Sequence, residues 1–285
     1  MKKTLFVSDL DGTLLTPDAE LPAGAAARIN RLTEQGIMIT YATARTVRSV
    51  SFILSDIDFT NAGAAPVALM NGVLVRDMVK GEYISSAVIP PPAARQIYAA
   101  VTQENDLEPF IYAIDNSAPV NGDPLATYYF AVANNTMQQF MDERIERFGK
   151  PFLKITSLSE TAGDIVYFAV LGDEAKIRRA AERAEKISGI QLTYYRDSYN
   201  EHVWYLEIFH ESASKKHAVR FLREYTGAEH VVVFGDNLND LPMFAEADTS
   251  VAVQNAKPEV KKAADCITDD VVAFIEEYTK NGDIQ

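Results

Sequence analysis

The sequence predicts an α/β protein, a doubly wound and mainly parallel sheet interrupted by an inserted α+β domain. Three observations predict it. The runs Leu5-Phe6-Val7, Ile37-Met38-Ile39 and Val231-Val232-Val233-Phe234 are wholly apolar, as strands buried on both faces of a parallel sheet are. Helical stretches alternate with them at both ends of the chain, the rhythm of strands joined by crossover helices. Between Pro90-Pro91-Pro92 and Ser214 the rhythm changes, so one domain is built from both chain ends and a second is inserted into it. The expected division is 1–87 with 206–285 for the first and 88–205 for the second.

Leu5-Phe6-Val7 opens the sheet and runs into Asp9-Leu10-Asp11-Gly12-Thr13. Two carboxylates thus stand at the carboxyl end of a strand, where open α/β sheets place their ligand crevice. Residues 21–35 carry Ala26, Ile29 and Leu32 at helical spacing and stop at Gly36. A second strand over 37–41 leads into Ala42-Thr43-Ala44-Arg45 and a helix reaching about residue 55. A third strand over 67–70 ends at Asn71-Gly72, a type I′ turn signal, with short antiparallel additions at 73–75 and 83–84.

In the insertion, helices are expected near 93–103, 137–148 and 174–187, the last with Ile177, Ala181, Ala184 and Ile187 on one side. Strands are expected at 110–114, 127–132, 152–155, 165–171, 191–195 and 203–209. This mixture predicts an open sheet with its helices on one face. The winding then resumes with a helix over 214–225, the strand 231–234, and Gly235-Asp236-Asn237-Leu238-Asn239-Asp240 before a helix opened by Pro242. A strand at 249–253, a helix at 258–264, a short buried strand holding Cys266, and a helix at 271–279 complete the sheet.

A formal charge of −13 excludes nucleic acid and anionic membranes as partners, since both require a basic surface. It leaves room for a small anion in a locally positive pocket. Cys266 is the single cysteine, so no intramolecular disulfide forms. No stretch approaches the ~18 apolar residues of a membrane span, and the first residues run straight into a strand, so a cytoplasmic protein is expected.

Four polar clusters share one kind of position, a strand's carboxyl end or a helix start beside it: Asp9/Asp11, Thr43/Arg45, Lys215, and Asp236/Asn239/Asp240. Singly, each has an ordinary explanation. Asp9-x-Asp11-Gly12 reads as a solvated turn, Thr43 as a helix cap, Lys215 as a solvated lysine, and Asp240 as the cap of the next helix. Together they would bring carboxylates, a hydroxyl, an amide and an ammonium to one crevice. That set suits Mg²⁺, a hard cation that takes a few oxygens, waters and a phosphate. It also suits stabilisation of a phosphoryl group passing between two oxygens.

In this order the clusters resemble the four motifs of the haloacid dehalogenase superfamily of phosphohydrolases. Asp9-Leu10-Asp11-Gly12-Thr13 is similar to its D-x-D-G-T motif at every fixed position, Ala42-Thr43-Ala44-Arg45 to the second, Lys215 to the third, and Gly235-Asp236-x-x-Asn239-Asp240 to the fourth. An insertion between the second and third motifs resembles the Cof-type subfamily, with a large α/β cap on a Rossmann-like core. Ala44 and Lys216 stand where glycine is common, and Lys216 puts a second ammonium beside Lys215.

The resemblance implies Mg²⁺-dependent hydrolysis of a small phosphomonoester, a sugar phosphate or related metabolite, through an aspartyl-phosphate. Asp9 would be the nucleophile and Asp11 the general acid and base. Mg²⁺ would be held by Asp9, Asp236 and the Asp11 carbonyl. The backbone N–H groups of Leu10, Thr43, Lys215 and Asn239 would meet the phosphate, with Asp240 and Arg45 in support.

A phosphomutase is the competing activity. Its relatives carry a cap between the first two motifs, and only about 30 residues separate them here. A catalytically idle phosphate-binding module is the alternative outside enzymes, disfavoured by intact Asp9, Asp11, Lys215 and Asp236. Substrate contacts are expected in the insertion, with Asp115, Asn116, Tyr128, Arg196, Tyr199 and Trp204 as candidates.

Overall fold

The computed structural model describes residues 2–117, 119–120, 122–197, 200 and 202–281. In chain order the elements begin with β1 (Thr4–Ser8), α1 (Ala25–Glu34), β2 (Met38–Tyr41), α2 (Val47–Ile53), β3 (Val67–Leu69), β4 (Leu74–Asp77) and β5 (Glu82–Ser86). There follow α3 (Pro91–Val101), β6 (Pro109–Ile114), β7 (Leu125–Tyr129), α4 (Asn135–Phe148), β8 (Leu153–Lys154), β9 (Asp164–Gly172), α5 (Glu174–Ala184), β10 (Ile190–Arg196) and β11 (Trp204–His210). The chain closes with α6 (Lys215–Thr226), β12 (His230–Gly235), α7 (Leu241–Phe244), β13 (Thr249–Val253), α8 (Pro258–Ala263), β14 (Cys266–Thr268) and α9 (Val271–Asn281).

The chain divides into two compact units, Met1–Ser85 with Ala213–Gln285, and Ser86–Ser212. In the first, five parallel strands run in the order β14-β13-β12-β1-β2. Leu5, Phe6 and Val7 in β1 and Val231 to Phe234 in β12 are all buried, as strands covered on both faces must be. Phe6 meets Tyr278 edge-on and Phe234 meets Phe274, so α9 seals one stretch of this sheet. Arg28 fixes α1 beside α9 through Asp270 and Glu276.

Two features of this unit differ from expectation. The third strand lies parallel to β2 but joins it by isolated bridges instead of a continuous ladder. β3 pairs antiparallel with β4, and together with the segment leading into it meets the β2 side through single parallel bridges, Ile39 to Ala64 and Ala42 to Ala68. β14 is an edge strand rather than a buried one, with Ile267 exposed and Cys266 half-buried, because only β13 pairs with it. The type I′ signal does form: Asn71 and Gly72 have φ of 56° and 88°, and Met70 before them is also left-handed at 51°.

The second unit is a six-stranded sheet in the order β10-β11-β9-β6-β7-β8. One face packs on α3 and α5 through Ile97, Val101, Ile111, Phe168, Ile177 and Ile208. The helices are not all on that face. Phe110 alternates with Ile111 and so points the other way, and Phe140 of α4 stacks on it with centroids 5.1 Å apart. An amphipathic helix declares that it packs, but both faces of this sheet are apolar enough to receive it. Residue 206, expected to begin the returning first domain, lies inside β11, which pairs with β9 and β10. Among the described residues no helix is long and apolar enough to cross a membrane.

Candidate active site

Parallel strands end on one side of their sheet, so the residues after β1, β2, β12 and β13 emerge together. Asp9 follows β1, and its N–H donates to the Phe234 carbonyl of β12 at 3.0 Å. Asp11 (φ −73°, ψ 121°) and Gly12 (φ 78°, ψ −7°) are the centre of a type II turn, which requires positive φ at its third position. Gly12 is needed for a second reason. A Cβ there would lie 2.5 Å from Asp236 Oδ2, so the bare glycine makes a cradle for that carboxylate. Thr13 Oγ1 then donates to Asp236 Oδ1 at 3.0 Å.

Lys215 is only 2% exposed, and its Nζ donates to Asp9 Oδ1 at 2.6 Å and to Asp240 Oδ1 at 2.7 Å. Lys216 is part-exposed, so the lysine drawn into the cluster is Lys215. Burial pushes the Asp9 carboxyl up to about 7, against the pull of the Lys215 ammonium. Burial pulls the Lys215 ammonium down, but Asp9 and Asp240 outweigh it and leave it raised. Asp236 is raised by burial and then by the Asp240 charge. One ammonium serves three clustered acids.

Two glycine contacts fix this lysine and its partner. A Cβ on Gly72 would fall 2.2 Å from the Ser214 carbonyl, so the left-handed Asn71-Gly72 turn fits closely against the start of α6. The same turn receives motif two: Asn71 N–H donates to Thr43 O and Met70 N–H to Arg45 O. On the other side, Gly235 allows Asp240 to fold back, since a Cβ there would meet Asp240 Cβ at 2.6 Å.

Asp11 is the more open acid, and Arg45 grips it with a two-point fork, Nε to Oδ2 at 2.7 Å and Nη2 to Oδ1 at 2.5 Å. Ser49 steadies the guanidinium by accepting from Nη1 at 2.8 Å. Thr43 is fully buried and is not a helix cap, a position held by Thr46. Its N–H is committed to Ala68 O at 3.0 Å, which removes it from the expected set of phosphate donors. The Thr43 hydroxyl, which accepts from Arg45 N–H, and the uncommitted Ala44 N–H remain there. Leu10 lies buried in the first turn, Lys215 N–H opens α6, and Asn239 is exposed in the short turn 238–240.

Asp9, Asp236 and Asp240 present carboxylate oxygens within 4.8 Å of one another. Three hard oxygen donors around a glycine cradle, two on acids raised by burial, fit a divalent cation such as Mg²⁺. Asp240 is the poorest direct ligand. Its Oδ1 takes Lys215, and its Oδ2 takes the N–H groups of Asp236 and Asn237 at 2.9 and 3.0 Å.

Sequence reasoning missed Thr13 as the partner of Asp236, Ser49 behind Arg45, and Asn255. Asn255 follows β13, and its Nδ2 donates to the Gly12 carbonyl at 2.7 Å. A polar side chain just past a core strand was the available signal. The insertion candidates do not gather. Tyr128 is core, its hydroxyl accepting from Ala162 N–H, and Trp204 packs under the Arg178 guanidinium. Asp115 closes a local turn with Ser117, Asn116 and Arg196 are exposed, and Tyr199 lies outside the described residues.

Fold and site together define a class, a doubly wound α/β protein with a buried acid–lysine centre at the carboxyl edge of its sheet. The chain belongs to the haloacid dehalogenase-like hydrolase family, whose model matches residues 6–272. It is 27% identical over 287 residues to pyridoxal phosphate phosphatase YbhA of Escherichia coli, covering 96% of this chain and 98% of that protein. It is 26% identical over 275 residues to 5-amino-6-(5-phospho-D-ribitylamino)uracil phosphatase YwtE of Bacillus subtilis, covering 91% of each. Its fold matches a haloacid dehalogenase-like hydrolase from Bacteroides thetaiotaomicron with a TM-score of 0.76 at 23% identity, over 97% of this chain and 99% of that one.

Proposed function

We propose that the protein hydrolyses small phosphomonoesters at this site, with Asp9 as nucleophile and Mg²⁺ as cofactor. The observation that carries the reading is the buried contact of Asp9 with Lys215, itself held by Asp240, beside Asp236. Two relatives named for small phosphorylated metabolites support the substrate class. Residues 86–212 are the unit to which we assign discrimination among leaving groups.

Asp9 and Asp236, with the Asp11 carbonyl, would hold Mg²⁺. The cation, when bound, supplies positive charge to the phosphoryl oxygens and favours the ionised carboxylates. Lys215 aims one Asp9 oxygen by a 2.6 Å hydrogen bond and neutralises part of its charge. An Asp9 oxygen bonds to phosphorus as the ester P–O bond breaks, and Asp11 gives its proton to the departing alkoxide. A water, losing its proton to Asp11, then attacks the aspartyl-phosphate and frees inorganic phosphate and Asp9. The Thr43 hydroxyl and Ala44 N–H donate to the phosphoryl oxygens. Arg45 orients Asp11 between its two proton transfers.

The experiment is phosphate release from p-nitrophenyl phosphate and from a panel of metabolite phosphates, with Mg²⁺ and with a chelator. Mg²⁺-dependent release is expected. No release from any member of the panel by folded, Mg²⁺-loaded protein would overturn the reading.

A further inference from the structure

The loop after β13 is tied to both loops that carry the acids. Asn255 Nδ2 donates to the Gly12 carbonyl at 2.7 Å, a bond across 243 residues of chain. Two residues later, Lys257 N–H donates to the Asp236 carbonyl at 2.9 Å. The loop itself is anchored, with Gln254 N–H on Thr268 O and Ala256 N–H on Val253 O, both at 2.9 Å.

These bonds close a circuit. From Asn255 it passes to the Gly12 carbonyl, through Thr13 Oγ1 to Asp236 Oδ1, and back through the Asp236 carbonyl to Lys257. Inside the circuit lies a close approach, the bare Gly12 against the Asp236 carboxylate, where a Cβ would fall 2.5 Å from Oδ2. Two of its three hydrogen bonds are made by Thr13 and by the Lys257 backbone. The third is made by the Asn255 amide, a side chain that reaches the first turn from this loop. A surface asparagine with a purely local role would bond within its own turn, as Asp270 does with Val272 and Ala273. Asn255 instead bonds the peptide next to Asp11, whose carbonyl belongs to the ion-holding set.

We infer that Asn255 is a positioning residue for the divalent cation, locking the spacing between the first turn and Asp236. This rests on the reading of Asp9 and Asp236 as the ion-holding pair. Groups that orient metal ligands commonly alter affinity by about 10–100-fold when removed. Because Asn255 is exposed, the low end of that range applies. Its removal opens no core cavity, so the fold is spared.

The test is calorimetric titration of the metal-free full chain with Mg²⁺, comparing wild type, Asn255→Ala, Asn255→Asp and Gln254→Ala. Asn255→Asp keeps the shape but places an acceptor against the Gly12 carbonyl, so it should bind as weakly as Asn255→Ala. Gln254→Ala keeps the backbone bond of residue 254 to Thr268 O and leaves the Asn255 amide in place, so it should bind like wild type. The expected result is a Kd for Mg²⁺ raised about tenfold in both Asn255 variants, with unchanged melting in the absence of metal. A Kd within about twofold of wild type would overturn the inference, as would an equal rise in Gln254→Ala. The wild-type titration judges the underlying reading separately. If wild type binds no Mg²⁺, the ion-holding pair fails and the role of Asn255 fails with it.

Discussion

Asp240 offers the sharpest test of which acids hold an ion and which hold the protein. It is fully buried and accepts three hydrogen bonds, from Lys215 Nζ at 2.7 Å and from the N–H groups of Asp236 and Asn237 at 2.9 and 3.0 Å. In Asp240→Asn one acceptor oxygen becomes an NH₂ group. Facing Lys215 it meets an ammonium; flipped, it meets two backbone donors. Either way donors oppose donors, and the buried lysine loses one of its two anions. Breaking a buried pair this way costs about 3–5 kcal/mol, and the low end applies because Asp9 still faces Lys215. For a unit of this size that lowers Tm by roughly 6–12 °C. Asp236→Asn should behave oppositely in metal-free protein. Its carboxyl is raised by burial and by Asp240, so the amide relieves a repulsion and Tm should hold or rise. With excess Mg²⁺ the ranking should change: wild type and Asp240→Asn gain stability, and Asp236→Asn does not. The assay is scanning calorimetry with chelator and with Mg²⁺. A fall of less than about 3 °C for Asp240→Asn, or loss of its Mg²⁺ response, would refute the division of roles.

Asp9→Asn should abolish turnover on every substrate while leaving the fold intact, since the amide cannot form the covalent ester; measurable burst or steady-state phosphate release would contradict this. Asp11→Asn should slow sugar-phosphate hydrolysis by about 10²–10⁴ but p-nitrophenyl phosphate far less, because that leaving group needs no proton. Equal losses on both would exclude Asp11 as the acid. For pH, the native carboxyl of Asp9 lies near 7 against 3.8 unfolded, so the native state holds the extra proton between those values. Its contribution to metal-free stability is therefore full at low pH and falls as pH rises toward 7. Unfolding of wild type minus Asp9→Asn across that window reads it, and a difference that grows with pH has the wrong sign. Gly72→Ala should lower kcat on the order of 10²-fold by displacing the start of α6 and with it Lys215; wild-type kcat in the folded variant would show that the turn does not position the lysine.

Much of this was legible because the chemistry is local. Asp9, Asp11, Gly12 and Thr13 lie in one pentapeptide, and apolar runs on either side of a polar centre announce buried strands. Pairings across the sheet were not legible. Arg45 reaches Asp11 across 34 residues and Asn255 reaches Gly12 across 243, and both meetings depend on strand order. Nor does residue type reveal that the Thr43 N–H is committed, since Ala68 arrives on a separate strand. The face chosen by α4 was hidden for a similar reason: Phe140 needs an aromatic partner, and Phe110 provides one on the side opposite Ile111.

The central place of β1 has a consequence for synthesis. Its residues Leu5–Ser8 pair on one side with Met38–Tyr41, which leave the ribosome soon after, and Thr4–Ser8 pair on the other with residues 230–234. At about 5–20 residues per second the second partner follows by roughly 10–45 s. Until then Leu5, Phe6 and Val7 present an apolar strand with one row of N–H and C=O groups unpaired, the edge most open to joining another chain. Among the described residues the strands of the six-stranded sheet pair only with one another, so that sheet is complete before β12 emerges. The net charge of −13 sets nascent copies against one another during that interval. Closure of β1 on β12 is thus the late, nonlocal step of folding, and it also brings Asp9 beside Asp236. The centre is assembled last.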